Sequence, residues 1–104
     1  MSARIPIEQH KIAEFCRRWK IIEFAFFGSV LRADFGPESD VDVLVTFAPD
    51  ARWTLFDHVD MEDELRAILG RDVDLVTRRS VERSPNYIRR KAILESAEVV
   101  YASR

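Results

Sequence analysis

The sequence predicts an α/β fold, a mixed sheet of about four strands with helices packed over it. Three observations carry that expectation. Short apolar runs at 21–27, 41–47, 73–76 and 97–101 alternate with segments of helical period, the pattern of layered α/β domains. The first run is almost continuously apolar, as in a strand covered on both faces. The chain has 104 residues, 47% of them hydrophobic, which suits a single domain spanning 1–104 with a core of its own.

The elements follow in order. Residues 6–19 read as an amphipathic helix with Pro6 in its first turn, because Ile12, Phe15, Cys16 and Trp19 recur at helical spacing. His10 and His58 have no second ligand at metal spacing; His10 reads as a solvated or capping residue. After the first strand, 29–33 read as a short helix and 34–39 as a loop containing Gly36 and Pro37. Residues 54–69 form a long helix, with Thr54 as N-cap, Asp57 at N3 and Gly70 just past the end. Leu55, Val59, Leu65, Ile68 and Leu69 supply its expected buried stripe. Its acidic residues Asp57, Asp60, Glu62, Asp63 and Glu64 read as a solvated face, the alternative being a docking surface for a basic partner. Residues 78–91 are basic, and Ser84 (N-cap) with Pro85 (N1) opens another helix there. Residues 97–101 read as a last short strand.

Composition excludes several classes. A net charge of −2 gives no general attraction to nucleic acid or to an anionic membrane, which argues against a nucleic-acid-binding module. One cysteine, Cys16, excludes an intrachain disulfide and a multi-cysteine zinc site; its helical position makes it a buried core thiol. No signal peptide pattern and no apolar run of spanning length occurs, so a cytoplasmic protein without membrane contact is expected.

The chemistry concentrates in 26–45. Gly28 breaks the first strand and permits a sharp turn close to a ligand. The amides that follow it, at the start of a helix, favour an anion such as phosphate. Asp40 and Asp42 lie two residues apart in an extended segment, about 6.6 Å along the backbone, and so share a face. Such a pair can bracket divalent cations about 3.5–4 Å apart. Taken singly, Gly28-Ser29 reads equally as an ordinary turn and Asp40 as a loop cap. Asp42 within VDVLV and Asp74 within VDLV are harder to dismiss, since a carboxylate in an apolar strand is costly unless paired or metal-bound. On pattern alone, Asp74 reads either as a third site carboxylate or as an edge residue facing water. Together these parts are the equipment of phosphoryl or nucleotidyl transfer.

Gly28, Ser29 and Arg32, then Ser39, Asp40 and Asp42 followed by Val43, Leu44 and Val45, read as G-S-x-x-R, six residues, S-D-x-D-V-L-V. This resembles the catalytic motif of the DNA polymerase β-type nucleotidyltransferase superfamily. The chain's length points to its smallest branch, the minimal nucleotidyltransferases (MNT). The resemblance implies a polymerase β palm-like fold. It implies two Mg²⁺ ions held by Asp40, Asp42 and Asp74, ATP as substrate, and a triphosphate bound by Gly28, Ser29 and the amides after them. Arg32 either contacts phosphate or pairs with an aspartate of the site, and Ser39 shapes the loop, hydrogen-bonding local backbone. Members commonly pair with a HEPN-domain toxin, to which they transfer AMP at a tyrosine. The expected function is therefore an adenylylating antitoxin, whose acceptor arrives on the partner, with the basic stretch 78–91 favoured for part of the ATP triphosphate and the partner together. The alternatives are an antitoxin that acts by binding alone and a nucleotidyltransferase for a small molecule such as an aminoglycoside. The sequence leaves the oligomeric state, homo- or hetero-, open.

Overall fold

The computed structural model describes residues 8–28, 36 and 39–103. Helix α1 (Gln9–Arg18) buries Ile12, Phe15 and Cys16, three of the four positions its period predicts. Trp19 ends it and is partly buried. Arg17 and Arg18 in the last turn complement the negative end of the helix dipole. Strand β1 (Ile21–Phe27) follows, then β2 (Val41–Phe47), helix α2 (Leu55–Leu69) and strand β3 (Val73–Thr77). The chain continues through α3 (Arg78–Glu82) and α4 (Tyr87–Ser96) and closes with β4 (Glu98–Ala102). The predicted short helix at 29–33 and most of the predicted loop at 34–39 lie outside the described residues.

The four strands form one mixed sheet in the order β3-β2-β1-β4. β1 runs antiparallel to β2 and β4, while β2 and β3 are parallel. Both central strands are covered on both faces. On one face Phe24, Phe26, Val41, Val43 and Val45 pack against α1 and α2, with Phe24 edge-to-face against both Phe15 and Phe26. On the other, Ala25, Phe27 and Leu44 pack against Val81 of α3 and Ile93 of α4.

Helix α2 is capped as its sequence dictates. The Thr54 hydroxyl accepts from the Asp57 amide, the Asp57 carboxylate accepts from the Thr54 amide at 2.8 Å, and Gly70 ends the helix at φ 71°. Its buried stripe differs from the predicted one. Met61, Leu65 and Leu69 are buried, whereas Leu55 and Val59 are exposed. From Val59 to Met61 the helix turns about 200°, so those two residues cannot share a face. The acidic side is not uniformly solvated either. Glu64 accepts from Trp19 Nε1 at 3.1 Å and pairs with Arg18, joining α2 to the end of α1. Glu62 accepts from the Leu75 amide at 3.1 Å, which satisfies an outward-facing N–H of the edge strand β3.

Helix α4 starts later than predicted. Asn86, not Ser84, is its N-cap and accepts from the Arg89 amide, so Pro85 lies outside the helix. The Ser84 hydroxyl is engaged by the Asn86 amide instead. Helix α3 has a single turn and no period to betray it; Thr77 caps it through the Ser80 amide. Among the described residues no helix is long and apolar enough to cross a membrane.

Burial pushes the Cys16 thiol from 9.0 up to about 12, only partly offset by Arg17. The unfolded thiol ionises first as pH rises, so this contribution to stability is complete below 9.0 and is lost toward about 12. Urea melts at about pH 8 and about pH 10 should show a smaller loss of stability for Cys16→Ala than for wild type. Equal losses would mean that the thiol does not contribute.

Candidate active site

Three strand termini meet at one end of the sheet. Because β1 and β2 are antiparallel, Phe27 at the end of β1 pairs with Asp42 near the start of β2. Because β2 and β3 are parallel, Asp74 pairs with that same Asp42. Neighbouring strands lie about 4.8 Å apart, so the two aspartates leave the sheet side by side and on one face. It is the α3/α4 face, since Asp42 has the strand parity of Leu44, which packs on Val81 and Ile93.

A cleft of about 340 Å³ opens there. Phe27, Gly28, Asp42 and Asp74 form the sheet side. The opposite wall is α4, through Arg89, Ala92, Ile93 and Ser96, one helical face by their spacing. Asp42 is half-buried, and Asp74, on the edge strand, is exposed. Asp74 thus has both characters that its pattern allowed: it faces water and it lines the cleft.

Gly28 is fixed by Asp42. Its φ is +74°, and a Cβ built there would stand 2.3 Å from an Asp42 carboxylate oxygen. The glycine is needed for its backbone conformation and equally for the room it leaves the carboxylate. Ser39 shapes the loop before β2: its hydroxyl accepts from the Gly36 amide and its amide donates to the Gly36 carbonyl, each at 3.1 Å. Arg71 donates to that carbonyl at 2.8 Å, tying the loop to the segment before β3. Asp40 is exposed just before β2 and does not line the cleft. Ser29 and Arg32 lie outside the described residues.

The donor set is all oxygen, which suits Mg²⁺ rather than a softer metal. Among the described residues no group of three His, Cys, Asp or Glu side chains converges enough to hold a metal ion unaided. The structure brings Asp42 and Asp74 together and leaves Asp40 outside the cleft lining, so the expected set of three is not assembled as one group.

A larger cavity of about 430 Å³ lies toward the far ends of β2 and β3, lined by Phe47, Trp53, His58 and Arg79 among others. It holds none of the three aspartates, and its one carboxylate, Glu82, pairs with Arg78. The aspartate cleft is the better candidate on chemistry, although smaller. Sequence reasoning named its sheet side residue by residue and its helix side only as the basic stretch 78–91, without singling out Arg89. The signal was present in the helical spacing of Arg89, Ala92, Ile93 and Ser96.

Residues 10–99 match the nucleotidyltransferase domain family. The chain belongs to that family. Protein adenylyltransferase MntA of Thermococcus cleftensis is 36% identical over 66% of this chain and 68% of its own length. A Methanocaldococcus jannaschii protein, provisionally named a protein adenylyltransferase, is 33% identical over 62% of this chain. The chain spans 64% of that relative's length. Among solved structures, one provisionally described as a minimal nucleotidyltransferase is 31% identical, covers 86% of each chain and has a TM-score of 0.66. A toxin–antitoxin structure with AMP-PNP superposes with TM-score 0.71 at 21% identity, over 94% of this chain and 76% of that one. The Shewanella oneidensis complex of a tri-AMPylated HEPN toxin with its MNT antitoxin gives 0.61 at 22% identity, over 91% and 70%. At such identities the last two likenesses show the fold alone, and the likeness at 31% identity matches the four-stranded sheet to a minimal nucleotidyltransferase fold.

Two outcomes follow from this geometry. Gly28→Ala should cost about 1–2 kcal/mol in a denaturant melt through its positive φ, and by displacing Asp42 should abolish nucleotide binding in calorimetry. Asp74→Asn, at an exposed edge position, should stay within about 0.5 kcal/mol of wild-type stability. A large destabilisation would make Asp74 a structural residue instead.

Proposed function

We propose that this protein is a protein adenylyltransferase that acts as the antitoxin to a HEPN-domain toxin. The observation that carries the reading is the in-register pair Asp42 and Asp74, set beside Gly28 in a single cleft. Support for the partner comes from the kind of protein this chain is similar to: a named protein adenylyltransferase, and antitoxins solved with HEPN toxins.

In this reading AMP passes from ATP to a hydroxyl of the toxin, a tyrosine. The acceptor oxygen bonds to the α-phosphorus, the bond from that phosphorus to the bridging oxygen breaks, and pyrophosphate leaves with the electron pair. Asp74, the more exposed carboxylate of the pair, takes the hydroxyl proton. Asp40 and Asp42, with Asp74, would hold two Mg²⁺ ions. When bound, these supply charge neutralisation on the triphosphate and a lowered pKa at the acceptor oxygen. Gly28, Ser29 and the amides after them, with Ser39 and Arg32, receive the phosphates. The two parallel strands hold the carboxylates in place, so the site is largely preorganised before substrate arrives. With its substrates the protein works in the cytoplasm.

The test is to incubate the protein with the HEPN toxin, ATP and Mg²⁺ and to take intact masses. The toxin should gain one or more AMP units, located at tyrosine by fragmentation, and EDTA should prevent the gain. Asp40→Ala combined with Asp42→Ala should abolish both the gain and the neutralisation of the toxin. If the double variant neutralises the toxin as well as wild type does, binding alone is the mechanism.

A further inference from the structure

Of the six cationic side chains from Arg78 to Lys91, three are engaged within the fold. Arg78 pairs with Glu23 of β1 at 3.4 Å and with Glu82 at 3.1 Å. Arg90 donates to the Ser84 carbonyl at 3.0 Å and lies over the Tyr87 ring. Lys91 stands 4.0 Å from Glu95 on the next turn. Arg79 lines the other cavity.

Arg89 differs. Among the described residues it is the one cation that lines the aspartate cleft, and its guanidinium has no hydrogen-bond or ion-pair partner there; only its backbone amide is engaged, by Asn86. It has two carboxylates as co-lining residues, yet forms a salt bridge with neither. A guanidinium offers five donors in a planar fork, suited to an anion that presents several oxygens. Asp42 and Asp74 cannot bind such an anion directly, because all three carry the same charge. Their role toward it would run through cations, which leaves the far side of the anion without counter-charge. The α4 wall is that far side.

We propose that Arg89 holds the phosphate tail of the nucleoside triphosphate, from the α4 wall of the cleft, opposite Asp42 and Asp74. This rests on the nucleotidyl-transfer reading given above and adds to it a binding residue on an element that the G-S and D-x-D motif does not include. The guanidinium acts on the triphosphate and then on the departing pyrophosphate, where negative charge increases as the bond to the α-phosphorus breaks. Because Arg89 is exposed and has no side-chain partner among the described residues, its removal should leave the fold unaffected.

The experiment is calorimetric titration of wild type, Arg89→Ala and Arg89→Lys with a non-hydrolysable ATP analogue and Mg²⁺, without the toxin, beside thermal melts of each apo protein. Arg89→Ala should weaken binding by about tenfold or more, and Arg89→Lys by less, because charge is kept and the fork is lost. The melts should coincide. Wild-type affinity in Arg89→Ala would overturn the proposal, as would an Arg89→Ala defect confined to AMP transfer with nucleotide affinity intact, which would assign the arginine to the acceptor. Asp42→Asn run in parallel separates the two readings. If Asp42→Asn abolishes binding and Arg89→Ala does not, the active site stands and only the role of Arg89 falls. If neither variant changes the affinity, the cleft is not the nucleotide site and the nucleotidyl-transfer reading falls as well.

Discussion

The parallel pairing of β2 with β3 is the constraint on which the rest of the molecule depends. It puts Asp42 and Asp74 on one face and on adjacent strands, an arrangement that like charges resist. A parallel pair also requires a crossover, and α2 supplies it on the opposite face of the sheet. That choice leaves the carboxylate face to α3 and α4. The cleft is thus what remains where α4 covers Phe27 and Leu44 but stops short of sealing the two aspartates. Glu62 belongs to the same construction, since it reaches back from the crossover helix to satisfy the edge strand beside Asp74.

The repulsion is tolerable for reasons visible in the packing. Asp74 is on an edge strand and exposed, so water screens it, while the central position next to it carries the half-buried Asp42. The opposite side of the same strands is a dense apolar layer of Phe15, Phe24, Phe26, Val41, Val43 and Val45, all fully buried. The larger apolar layer therefore lies on one face of the sheet, and the carboxylates lie on the other beside a smaller apolar cluster. Such a division lets two carboxylates stand side by side and still be held in register.

What the sequence made legible was whatever a local rule determines uniquely. Short apolar runs located the strands, Thr54, Asp57 and Gly70 bounded α2, and an acid inside VDVLV marked the candidate site. Where two local rules competed, the sequence alone did not decide. Helix α2 carries Leu55 and Val59 on one side and Met61, Leu65 and Leu69 on another, and only the position of the sheet selects between them. Ser84 and Asn86 are both good N-caps two residues apart, and the Asn86 amide ended up on the Ser84 hydroxyl. Glu62 and Glu64 looked like two more members of a solvated run, because their partners, the Leu75 amide and Trp19, are distant in sequence.

The basic stretch illustrates the same limit at the site itself. As a string of charges, 78–91 has no direction, and any of its arginines could serve a phosphate. Folding sorts them by geometry. The short helix α3 turns Arg78 toward β1, the turn before α4 takes Arg90, and α4 presents positions 89, 92, 93 and 96 to the sheet. Of these four, only one is charged, and it meets the aspartates across the cleft. The distinction between Arg89 and its neighbour Arg90 is a rotation of about 100° on one helix. That rotation places one guanidinium on a tyrosine ring and a carbonyl, and the other in the cleft, where an anion would find it.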